Sequence, residues 1–230
     1  MIRSLAAVAL GIVLAVTATG CSSPSSAAPM PTPTPSAGLP VAAPSEPVYI
    51  IGDSWAAGVS ADPGAGWVDL VDAHYGWDTT LNAQPGTGYD AVLKAGEPYI
   101  ERVDDLPPHP PALVIVQGGV NDKLAGWMNL QDNAGATIAA IEHRYPGVPI
   151  LMVGPATAAL PAAQSLSTID QHLAEVARTA GAFYISPMQG EWVGADNVQT
   201  FIDPDTDHPS NAGHAEYAAR LIAAIDAAAQ

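Results

Sequence analysis

Ser54 and His208 are the two side chains whose type and setting could do covalent chemistry. A serine hydroxyl attacks poorly until a base takes its proton, and a histidine base needs an acceptor to fix its tautomer. Ser54 stands in Gly52-Asp53-Ser54-Trp55, just after an apolar run and at an expected helix start. A serine there exposes its hydroxyl at the edge of a sheet, beside backbone N–H groups that can face a developing oxyanion. His208 lies in Asp203-Pro204-Asp205-Thr206-Asp207-His208, with Asp205 three residues ahead of it. Asn121, in Gly118-Gly119-Val120-Asn121-Asp122, offers an amide donor, and Gln84-Pro85-Gly86-Thr87-Gly88 lets backbone approach a ligand closely. Each motif also has a plainer reading: Asp53 or Ser54 as a helix cap, Asn121 in an Asx-turn, the glycines as an ordinary strand-to-helix turn. The alternating aspartates 203, 205 and 207 resemble a calcium loop in part. His208 stands where such a loop needs glycine and His214 where it needs glutamate, so no metal and no cofactor is expected.

These residues need a scaffold. Five short apolar runs read as buried strands: 48–51, 79–81, 113–116, 150–153 and 182–185. Helical stretches fall between them at 67–74, 89–103, 133–145, 167–180 and 212–229, with Pro98 expected to kink or end the second. Ile169, Leu173, Val176 and Ala180 repeat at helical spacing, and Gly181 stands ready as the stop. Strands alternating with helices give a parallel sheet covered on both faces, with the ligand site beyond the strands' carboxyl ends. Ser54, the glycine turn and Asn121 all follow strands.

Taken in order, Gly-Asp-Ser at 52–54, the glycine at 86, Gly-x-Asn-Asp at 119–122 and Asp-x-x-His at 205–208 resemble the SGNH hydrolases, also called GDSL esterases and lipases. The resemblance spans about residues 48–225. It implies a flavodoxin-like three-layer α/β/α domain with five parallel strands in the order 2-1-3-4-5, and hydrolysis of carboxylic esters. Carried over, Ser54 is the nucleophile, His208 the base and Asp205 its orienting acid. The oxyanion hole comprises the N–H groups of Ser54 and Gly86 and the Asn121 amide, with Gly88 a rival to Gly86. Trp55 replaces the aliphatic residue common in the family.

The 230 residues, 48% hydrophobic and 13% charged, suit one globular domain with a tail. Seven basic against twenty-three acidic residues leave a net charge of −16, which repels phosphate backbones, so nucleic acid is not an expected partner. Arg3 followed by an apolar run from Leu5 to about Ala18 reads as an export signal, shorter than a membrane span. The ending Thr19-Gly20-Cys21 resembles a bacterial lipobox, in which Cys21 carries the lipid; ordinary secretion after cleavage near Ala27 or Ala28 is the alternative. A single cysteine forms no internal disulfide framework. Residues 21–47 read as a Pro/Ser/Ala-rich linker and 48–230 as the catalytic domain. The expected partner is thus a small-molecule, lipid or glycan ester, with membrane contact through the anchor alone.

Trp55, Trp127 and Trp192 are candidates to line the substrate site, and residues 155–164 to form a flexible wall. The other five histidines read as surface or loop residues, His214 pointing away from the crevice. Sequence alone does not separate hydrolysis from acyl transfer to a sugar hydroxyl, because both use the same acyl-enzyme. A tethered binding module and a nucleotide-binding enzyme are weaker alternatives, the latter because no phosphate-cradling motif is present.

Overall fold

A computed structural model describes residues 38–93, 95–124 and 127–230, apart from the side chains of 124, 127 and 128. The export segment, Cys21 and the side chain of Trp127 lie outside the described residues.

Five strands form one sheet: β1 (Pro47–Gly52), β2 (Asp78–Ala83), β3 (Leu113–Gln117), β4 (Ile150–Val153) and β5 (Phe183–Ile185). All pairs are parallel, in the order β2-β1-β3-β4-β5. Alternate residues feed opposite faces, as the pleat requires. Val48, Ile50, Leu113, Ile115, Leu151 and Val153 pack beneath α1 (Trp67–Tyr75) and α5 (Asn211–Ala228). Tyr49, Ile51, Val114, Val116, Ile150 and Met152 pack beneath α2 (Trp127–Arg144) and α3 (Gln164–Ala180). A short α4 (Val198–Phe201) leads into a two-stranded hairpin, β6 (Ile202–Asp203) and β7 (His208–Pro209), just before α5.

Two expectations need correcting. Among the described residues of 89–103 there is no long helix, only a single 3-10 turn at Glu101–Val103. The first N–H groups of the segment, at Tyr89, Asp90 and Ala91, bond to the Asp122 carboxylate, while Gly96 (φ 111°) and Pro98 break any helical run beyond them. The folded region also begins before Val48. Leu39 is buried and its N–H donates to the Ala228 carbonyl at 2.7 Å, and Trp77 Nε1 donates to the Ala42 carbonyl at 2.9 Å. The end of the expected linker is therefore part of the domain.

Candidate active site

The polypeptide leaves β1 at Gly52, where a Cβ would stand 2.4 Å from that of Ala56, so only glycine permits the tight turn that follows. Asp53 is fully buried and its Oδ1 accepts the Trp55 N–H at 2.9 Å. With the Gln117 amide turned so that its nitrogen faces Asp53, that amide also donates to Oδ1 at 3.3 Å. Burial pushes the Asp53 carboxyl up to about 7, opposed by the Trp55 bond and reinforced by the nearby Asp122 charge. Ser54 follows, 5% exposed. It does not open a regular helix as expected. Ala57 N–H bonds to the Asp53 carbonyl at 2.9 Å, but Gly58 and Ser60 both adopt φ 70°, which turns the backbone away from helical geometry, and α1 starts only at Trp67.

Beyond β2, Gly86 takes φ 80°, and among the described residues no group accepts its N–H. The Gly88 N–H is engaged, donating to the Ala91 carbonyl at 2.9 Å, so of the two glycines Gly86 is the one whose N–H has no acceptor among the described residues. Gly88 serves a packing need instead: a Cβ there would lie 2.3 Å from Asp122 Oδ2. Beyond β3, Asn121 Nδ2 donates to the Thr87 carbonyl at 2.9 Å, which fixes the amide and leaves its second hydrogen available.

Arg102, which no sequence motif marked, ties these pieces together. It is fully buried, and its guanidinium donates to the Asn82 carbonyl (3.0 Å), Asn82 Oδ1 (3.2 Å), the Gly52 carbonyl (3.1 Å) and Thr87 Oγ1 (3.3 Å). One cation thereby joins the ends of β1 and β2 to the glycine turn. Desolvation lowers its pKa from the usual arginine range.

His208 is reached from the opposite side. Its Nδ1 lies 2.6 Å from the Thr206 carbonyl oxygen. A carbonyl only accepts, so the Nδ1 hydrogen is engaged there and Nε2 is the ring nitrogen left for other partners. The expected partner, Asp205, is exposed, and among the described residues its carboxylate makes no hydrogen bond to His208. It sits at the tip of the hairpin, whose paired positions are Asp203 and His208.

Ser54, Trp55, Asn121 and His208 line one cleft of about 340 Å³, together with Lys123 and the 157–163 segment. Of the expected substrate-lining tryptophans, Trp55 is there. Trp192 is instead a core residue, 5% exposed and edge-on to Tyr217 at 4.9 Å. Its apolar ring gains more from burial beneath α5 than from a wet cleft. Thr157, Ala158, Ala159, Pro161 and Ala163 supply the predicted wall.

His214 also departs from expectation, for it is fully buried. Its Nδ1 accepts the Trp67 N–H at 3.3 Å and its Nε2 donates to the Val59 carbonyl at 3.2 Å, the opposite tautomer to His208. Burial lowers its pKa and keeps it neutral. Asp62 and Asn211 exchange two hydrogen bonds, at 2.7 and 2.6 Å, so the backbone after Ser54 is clasped to the one after His208.

Residues 50–216 match the profile of the GDSL-like lipase/acylhydrolase family. The chain is 26% identical over 197 residues to the GDSL lipase Rv0518 of Mycobacterium tuberculosis, covering 78% of this chain and 80% of that one. Its fold is similar to that of a family two carbohydrate esterase from Clostridium thermocellum, solved with cellohexaose: TM-score 0.64, 17% identity, 80% of this chain and 65% of that one. It is also similar to TesA, with a TM-score of 0.63 and 22% identity over 76% of this chain and 96% of that one.

Proposed function

Because this chain belongs to the GDSL-like lipase/acylhydrolase family and is an SGNH-type esterase or lipase, we propose that Ser54 carries out its ester hydrolysis through an acyl-enzyme. Ser54 Oγ attacks the ester carbonyl carbon while His208 Nε2 takes the hydroxyl proton. The tetrahedral intermediate collapses, the carbon–oxygen bond to the alcohol breaks, and His208 returns the proton to the leaving oxygen. Water, activated by the same histidine, then attacks the acyl carbonyl and frees Ser54. Negative charge on the carbonyl oxygen is met by the N–H groups of Ser54 and Gly86 and the free hydrogen of the Asn121 amide. The observation that carries this reading is the convergence of Ser54, Asn121 and His208 on a single cleft.

The substrate class is a carboxylic ester, either an acyl lipid or an acylated glycan. Small and apolar walls at Trp55, Val120, Ala158, Ala159 and Pro161 suit an acyl group. The N-terminal apolar run and Cys21 support export and tethering to the outer face of a bacterial cell membrane, with the linker holding the domain clear of the lipid.

Turnover of p-nitrophenyl esters from acetyl to palmitoyl by the full chain tests the reaction. Ser54→Ala should lower the rate at least about 10⁴-fold. Wild-type turnover in that variant would remove Ser54 from the mechanism. Folded protein that hydrolyses no ester yet labels Ser54 with an acyl donor would favour transfer of the acyl group to a sugar hydroxyl.

A further inference from the structure

We propose that a second cavity, beside the catalytic cleft and between the loops that follow β4 and β5, holds a neighbouring sugar ring of the substrate, so that the ester is carried on an oligosaccharide. The inference rests on the reading of the Ser54 cleft as the ester site.

The two hollows share a wall. Ala159, Pro161 and Ala163 line the catalytic cleft, Leu160 and Ala162 line the second cavity, and Thr157 lines both. The same stretch of chain therefore bounds each, and they meet at Thr157. At about 330 Å³ the second cavity is close in size to the first.

Its other walls are fixed by buried polar groups that the hydrolysis does not use. Asp170 of α3 is 2% exposed; its Oδ1 accepts the Tyr184 and Ser186 hydroxyls, each at 2.7 Å, and its Oδ2 accepts the Gln189 amide at 3.1 Å. A carboxylate is tolerated in the interior only when its oxygens are satisfied, and these donors come from β5 and from the loop that lines the cavity with Pro187 and Met188. On the far side, Asn197 Oδ1 accepts the Gly194 N–H at 2.8 Å, while its Nδ2 donates to the Trp192 carbonyl at 2.9 Å and to Glu216 of α5 at 2.8 Å. The hollow is built into the fold, as small-molecule sites usually are.

Glu191 marks what the cavity takes. It adopts φ 47°, a left-handed conformation costly for a residue with a Cβ, and its N–H donates to the Met188 carbonyl at 3.2 Å. Among the described residues its carboxylate makes no hydrogen bond and no ion pair, and it is the one charged side chain lining the cavity. The rest of the lining is apolar or small apart from Thr157, whose hydroxyl is engaged with the Ala159 carbonyl at 2.6 Å. A bed of Leu160, Met188 and Val193 beside a single open acceptor suits a pyranose ring. Its C–H face packs on the side chains, and two adjacent hydroxyls donate to the carboxylate. A fatty acyl tail makes no use of that carboxylate and strips water from it, and an anionic lipid headgroup meets a like charge on a chain that already carries −16.

The test follows the Met188 methyl signal by NMR in full-chain Ser54→Ala protein, which binds without turnover, as cellotetraose, xylotetraose or tetra-N-acetylchitotetraose is added, with sodium octanoate as the acyl probe. At least one oligosaccharide should shift that signal, octanoate should not, and Glu191→Gln should weaken oligosaccharide binding about tenfold. A shift with octanoate, or none with any oligosaccharide, would overturn the proposal. Kinetics give a second reading. On the monoacetate of the oligosaccharide that binds, Glu191→Gln should raise KM about tenfold more than it does on p-nitrophenyl acetate, with kcat altered alike on both esters. Equal changes in KM on the two esters would count against the sugar site just as firmly. The methyl shift needs no turnover, so it decides the cavity's occupant even if p-nitrophenyl acetate shows the esterase reading of Ser54 to be wrong.

Discussion

Ser54 and Asn121 stand on a frame whose polar groups are sealed from water, whereas His208 hangs from a short hairpin whose tip residues 204–207 are exposed. On the first side, Asp53, Gln117, Asp122 and Arg102 are buried, and their bonds run between strand ends far apart in the chain. On the second, the decisive contacts join residues two to four apart, helped by Ser60 and Asp62 from across the cleft. Buried polar groups are costly to orphan, while exposed turns lose little when one contact goes. Damage to the first side should therefore fall on stability as well as rate, and damage to the second on rate alone.

The severest break of that contrast is Arg102→Met. It removes the guanidinium donors from the Asn82 carbonyl and side-chain oxygen, from Thr87 Oγ1 and from the Gly52 carbonyl, which keeps only the Gln84 N–H, and should lower unfolding free energy by about 3–5 kcal/mol in urea denaturation. A variant as stable as wild type would show that the strand ends hold without the cation.

Asn121→Ala comes next. Removing one oxyanion donor should cut kcat about 10²–10³-fold, and loss of the bond to Thr87 should take only about 1 kcal/mol from stability. Steady-state kinetics beside a thermal melt reads both, and a loss under tenfold would take Asn121 out of the oxyanion hole.

Asp53→Asn gives the smallest effect and sharpens the comparison through pH. The folded pKa of about 7 lies above that of an unfolded aspartate, so between about pH 4 and 7 the native state holds a proton that the unfolded chain has released. This group's contribution is fully present below about pH 4 and is lost as pH rises through 7. The asparagine variant should therefore gain on wild type by on the order of 2 kcal/mol between pH 5 and pH 8. Parallel stability curves for the two proteins would mean that Asp53 is ionised in the fold throughout.

Much of the scaffold was legible because its signals are local. Val48 to Ile51 and Leu113 to Val116 are unbroken runs of apolar residues, and a strand buried on both faces needs nothing else to declare itself. Gly181 ended α3 as expected, with φ 73°. Residues 89–103 misled for the opposite reason. Their place between two strands suggested a helix, but the Asp122 carboxylate, some thirty residues away, takes the N–H groups at 89–91. The buried His214 was equally unreadable, since its partners Val59 and Trp67 are on the far side of the sequence.

The sequence by itself determined the alternation of strands and helices, the serine, asparagine and histidine that meet in the cleft, and the acidic net charge. Apolar periodicity, strand-end position and net charge are properties of neighbouring residues or of simple sums, so no contact map is needed to read them. Only the tertiary structure decided that Arg102 joins the ends of β1 and β2 to the glycine turn and that Asp203 pairs with His208 across the hairpin. The first depends on where a side chain lands after distant segments pack, the second on how a short hairpin pairs. Hairpin pairing sets 203 opposite 208 and leaves 205 at the tip, a geometry that counting three residues back from a histidine does not contain.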